Sequence, residues 1–138
     1  EQKDWFHQQI QSSQWQAATW RFVFVHQPPY SQGWAGYEGD KVVRDLLEPV
    51  LETARIDFVI AGHTHDYERL EKQYGQQRTH FIITGGGGGS LEPVESSLQP
   101  VMDTVLKTHH YIRFKVSDNR LEWFTHDSAN KIIDKQIL

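Results

Sequence analysis

The chain has 138 residues, 38% hydrophobic and 12% aromatic, with a formal net charge of −4 and no cysteine. These values fit one folded globular domain, exclude disulfides, thiolate metal sites and cysteine nucleophiles, and give no basic field to hold nucleic acid or an anionic membrane non-specifically. No stretch approaches the ~18 apolar residues of a membrane span. No basic-then-apolar leader opens the chain, which reads as soluble as given or already processed; its start at Glu1, in a helix-like segment without methionine, reads as a piece of something longer.

The opening KDWFHQQIQSSQ predicts a short amphipathic helix with Trp5, Phe6 and Ile10 near one face. WRFVFV (20–25) follows as a buried strand. It stops at His26-Gln27-Pro28-Pro29-Tyr30, because two prolines cannot donate to a ladder. The glycine spacing of 31–39 reads as an ordered loop. Asp40 is an N-cap for a helix with Val42, Val43, Leu46, Leu47, Val50 and Leu51 on one stripe, kinked or split at Pro49.

DFVIA (57–61) is a second buried strand, and THFIIT (79–84) is a third, ending in five glycines, Gly85–Gly89. Residues 90–108 read as irregular, with a short helix around Val101–Leu106. HHYIRFKV then alternates, with Ile112, Phe114 and Val116 on one face, and Asp118-Asn119 signals a hairpin turn. LEWFTH and KIIDKQIL complete an antiparallel meander. The fold class is therefore α/β in its first part and antiparallel at its end.

Three strand-like runs end in something chemically special: His26, then Gly62-His63-Thr64-His65, then the glycine run. In open α/β sheets, ligand sites collect beyond the carboxyl ends of the strands, and imidazole is the commonest metal ligand. If the H-x-H segment is extended, His63 and His65 point to the same side. They could then serve one metal or two neighbouring ones, with Gly62 letting the backbone turn close to the ions. Two other His-rich patterns fail. H-x-H-x-D-H, the metallo-β-lactamase pattern, meets Tyr67 and Glu68 where Asp and His are required. The amidohydrolase barrel needs ~250 residues.

FVFVHQPPYS, FVIAGHTHDYER and FIITGGGGG, in this order, resemble the C-terminal half of a calcineurin-like metallophosphoesterase. The nearer likeness is to the purple acid phosphatase-like branch, with its G-H-x-H-x-Y-E-R, and it extends over nearly the whole chain. The resemblance implies a two-layer β-sandwich flanked by helices, of which this single domain is half. It implies two transition metal ions (Fe, Zn or Mn) ~3.5 Å apart and hydrolysis of phosphomonoesters or phosphodiesters. It also implies that His26 and His63 ligate one metal and His65 the other. The branch is often exported.

The family's D-x-H, G-D and G-N-H motifs are absent upstream of His26. Asp4 and His7 are spaced D-x-x-H, and Gly39-Asp40 reads better as a helix cap. The chain therefore carries about half of the expected site. The enzyme reading needs the N-terminal half or a second chain to complete it. The competing reading is a non-catalytic fragment or interaction module that pairs with another chain and binds one metal or none. Tyr30 is a candidate for the substrate pocket, and so is Arg69. Tyr67, Glu68 and Arg69 are candidates to brace the histidine loop, Glu68 and Arg69 as a pair. Trp34 and Tyr37 read as loop plugs, with stacking on a substrate ring as the alternative.

Overall fold

In the computed structural model, which describes residues 1–138, the apolar runs at Phe22–Val25 (β1), Phe58–Ala61 (β2) and Gln77–Thr84 (β4) lie side by side as parallel strands. Tyr67–Tyr74 (β3) returns antiparallel to β4, and Thr104–Leu106 (β5) pairs with β3. The sheet order is β1-β2-β4-β3-β5. A second sheet, β6-β7-β8, is the expected meander: His110–Val116, Leu121–Asp127 and Ile132–Ile137. The Ser117 N–H bonds to the Arg120 carbonyl at 2.9 Å and closes its first turn.

Alternation along the strands builds two cores from one sheet. Val59, Ala61, Leu70, Phe81 and Ile83 face a helical layer and pack with Ile10, Leu47, Leu51 and Ile56. Phe58, Ile60, Tyr67 and Ile82 face the meander and pack with Leu121 and Trp123, with Ile112 and Phe114 against them. The helical layer comprises Gln2–Ile10 (α1), Ser13–Ala17 (α2) and Lys41–Leu47 (α3). Asp40 caps α3 by accepting the Val43 N–H at 2.8 Å. At Pro49 the helix tightens into a 3₁₀ turn over Glu48–Val50, the split that proline imposes. No helix is long and apolar enough to cross a membrane.

Three expectations change, and one strand is added. β1 is an edge strand, not a buried one, and its Phe24 is 72% exposed. α1 buries Ile10 and packs Phe6 against the core but leaves Trp5 in solvent. The stretch Tyr67–Tyr74, for which the sequence predicts no element, is a strand whose backbone fills the gap between β4 and β5. Val101–Leu106 holds no helix; Thr104–Leu106 extends the sheet edge instead.

Candidate functional site

The parallel strands place their carboxyl ends together: Val25 is in register with Ala61, and Ala61 with Ile83. His26, Gly62 and Gly85 therefore follow at one end of the sheet. The Gly62 N–H bonds to the His26 carbonyl at 3.1 Å, which ties the first two strand ends together. Because β4 lies between β2 and β3, loop 62–66 must cross over the end of β4. Gly85 passes directly beneath it. A Cβ there would run into the Thr64 carbonyl, and one on Gly33 would meet the Thr64 methyl group. The glycine run thus lets backbone pass close beneath the histidine loop.

The H-x-H segment is not extended. His63 adopts φ +67°, the left-handed region, which histidine visits more readily than most residues. The two imidazoles consequently face different neighbours. The His63 ring meets His26 edge-on at a centroid distance of 5.4 Å. The His65 ring lies over Gly89, and its Nδ1 is 2.8 Å from the Ser90 carbonyl oxygen. A carbonyl can only accept, so Nδ1–H donates and Nε2 of the neutral ring keeps its lone pair. That is the arrangement in which metal-binding histidines are usually held. The Glu92 carboxylate accepts the His65 backbone N–H at 2.8 Å. No group of three or more His, Asp or Glu side chains is placed to hold one metal ion.

Glu68 is fully buried and holds this end of the fold together. Its carboxylate accepts from the Ser31 hydroxyl at 2.6 Å, the Gln32 N–H at 2.6 Å and the Thr64 hydroxyl at 3.3 Å. It therefore joins the loop after His26 to the residue between His63 and His65. Burial, then the charge of Asp66 beside it, pushes the Glu68 carboxyl up to about 7. Asp66 is itself buried and pairs with Lys107 at 2.7 Å, while its Oδ1 has no hydrogen-bond partner. Lys107 also donates to the Gly33 carbonyl. Neither Asp66 nor Lys107 was marked by the sequence, since 41 residues separate them.

The expected Glu68–Arg69 pair does not form, because neighbours in a strand point to opposite faces. Arg69 turns to the meander, donating to Asp134 at 2.8 Å and to the Thr104 hydroxyl at 3.0 Å, with Asp103 3.8 Å away. Tyr67 lies on that same face and donates to Asp134 at 2.7 Å. Arg69 and Tyr67 thus pin the meander to the sheet. Tyr30 lies in the helix-side core, edge-on to Phe81 at 4.9 Å, with its hydroxyl among Glu48, Tyr74 and Lys72. Its ring is thus a packed member of the helix-side core. Trp34 and Tyr37 are the loop residues that do reach the histidines. They stack on each other at 4.2 Å, and each ring lies 5.7 Å from His63.

The model of the family described as calcineurin-like phosphoesterase matches residues 1–67. Purple acid phosphatase 21 of Arabidopsis thaliana is 29% identical over 147 residues, covering 98% of this chain and 33% of that relative. Fe(3+)-Zn(2+) purple acid phosphatase 12 of the same plant is 29% identical over 104 residues, covering 75% of this chain and 21% of the relative. The structure of purple acid phosphatase PPD1 from yellow lupin seeds superposes with a TM-score of 0.81 at 17% identity. It is covered over 28% of its length by 99% of this chain. The chain thus spans about a third or less of these proteins. By sequence it is similar to the calcineurin-like phosphoesterases and, among them, to the purple acid phosphatases, whose fold it shares.

Proposed function

We propose that this chain contributes His26, His63 and His65 to the two-metal site of a phosphoester hydrolase, completed by protein outside these 138 residues. One observation carries the reading: two neighbouring parallel strand ends bring His26 and His63 ring to ring at 5.4 Å, while His65 turns away. That division suits one ion held by His26 with His63 and a second by His65. The donor chemistry suits the Fe(3+)-Zn(2+) pair in the name of one relative, since both metals accept imidazole. When bound, two such cations supply Lewis acidity toward a phosphate ester. The chain's own residues orient the imidazoles: Ser90 sets the His65 tautomer, and Glu68 holds the loop.

Three imidazoles that do not converge make a weak site by themselves. The 138-residue chain is therefore expected to purify with well under one tightly held transition metal, as read by elemental mass spectrometry. In the full-length protein, His63→Ala is expected to abolish metal-dependent hydrolysis of a phosphomonoester. Unchanged turnover would overturn the assignment. The other reading, an interaction module that pairs with another chain, is favoured by the open β1 edge and its exposed Phe24.

A further inference from the structure

Four rings cluster at the carboxyl end of the sheet: His26, His63, Trp34 and Tyr37. The histidines are accounted for above, and the indole–phenol pair is not. Its loop is built to hold it still. The Asp40 N–H closes the loop on the Pro28 carbonyl at 2.7 Å, and the Tyr37 N–H bonds to the Trp34 carbonyl at 3.1 Å. Gly39, at φ +90°, packs so tightly on the Pro29 backbone that a Cβ could not fit. At the loop's start, Ser31 and Gln32 are fastened to the buried Glu68.

Within this frame the two rings have different surroundings. The Tyr37 hydroxyl is buried with no hydrogen-bond partner, and burial raises its pKa, with the charges of Asp40 and Glu68 adding to the effect. Tyr37 is thus the inner ring. Trp34 is half-buried, followed in the chain by exposed Ala35 and Gly36 and stacked on Tyr37. Tyr37 covers one indole face, His63 meets its edge, and no aromatic side chain covers the second face.

We propose that Trp34 is a specificity-determining residue, its indole being the surface on which the planar organic group of an aryl or nucleoside phosphate rests. This deepens the hydrolase reading and depends on it for the position of the phosphate near His26 and His63. A planar group joined to that phosphate lies one ester linkage from the indole. It gains stacking that an aliphatic alcohol does not.

The test compares kcat/KM for phenyl phosphate and glycerol 2-phosphate in the metal-loaded, full-length protein and its Trp34→Ala and Trp34→Phe variants. The phenyl-to-glycerol ratio is expected to fall about tenfold in Trp34→Ala, from a raised KM for phenyl phosphate, and to recover largely in Trp34→Phe. An unchanged ratio, or an equal loss on both substrates, overturns the proposal and leaves Trp34 as a loop plug. If the wild-type protein hydrolyses neither ester, the hydrolase reading fails separately. Equilibrium dialysis of phenyl phosphate then decides the role of Trp34. Binding weakened about tenfold by Trp34→Ala supports it, and equal binding overturns it.

Discussion

At the scale of single residues, the site depends on one buried carboxylate. Glu68 is the shared acceptor for Ser31, Gln32 and Thr64, so Glu68→Ala leaves buried donors without a partner. Urea unfolding is expected to show a loss of about 2–3 kcal/mol. A change below about 0.5 kcal/mol, the range of an ordinary surface substitution, would mean the loop is held by other contacts. His80 supplies a pH test away from the histidine loop. It is buried beside Phe58 and Trp123, and its Nδ1 is 3.5 Å from Glu71. Burial lowers its pKa, with Glu71 opposing and Arg78 adding to the shift. The ring is thus neutral near pH 7, and the Glu71 contact is not an ion pair there. The unfolded chain, titrating near ~6.5, takes up the proton first. His80's contribution is present above that pH and lost as pH falls below it. Glu68, raised to about 7, acts with opposite sign: its contribution is full below ~4.3 and lost as pH rises toward 7. Melting temperatures from pH 8 to 5 should therefore fall less steeply in His80→Phe than in the wild type. Parallel curves would show that His80 carries no such linkage.

At the scale of elements, the crossing of loop 62–66 over the end of β4 governs what the glycine run tolerates. Gly85 lies under the Thr64 carbonyl, whereas Gly87 has open space where a Cβ would stand. Gly85→Ala is expected to lower stability by several kcal/mol or block folding, since backbone cannot yield as a side chain does. Gly87→Ala should be close to neutral, and thermal melts of the two variants give the comparison. Equal melting temperatures would show that the crossing is looser than the structure has it. The same crossing leads into an element that the sequence did not mark. Tyr67–Tyr74 places Glu68, Arg69, Glu71, Lys72 and Gln73 in eight residues, which carries no strand-like apolar alternation. Its charged side chains are matched by Ser31, Asp134 and Asp103, partners that are distant in sequence.

At the scale of the molecule, the helical layer and the meander cover the two faces of the five-stranded sheet, but β1 is left as a parallel edge strand. Parallel strands are rarely left open to water. Beside that edge Phe22, Phe24, Ile60, Ile112 and Phe114 line an apolar groove of about 450 Å³. The isolated 138-residue chain is therefore expected to self-associate, and Phe24→Lys to shift light scattering toward monomer. A wild-type chain that is monomeric at high concentration would argue against an unsatisfied edge.

The sequence by itself determined the strand runs, the capped and proline-split helix, the meander, and the three histidines with their glycine neighbours. Each of these is a local pattern: an apolar period, a cap, a turn or a spacing. Only the tertiary structure decided which histidines meet. A left-handed His63 turns its ring to His26, and the loop over β4 sends His65 to Ser90. It also separated Glu68 from Arg69 by putting them on opposite faces of β3, and it joined Asp66 to Lys107. These contacts rest on strand order and on pairs tens of residues apart, where desolvation and hydrogen bonding between distant segments outweigh any local preference.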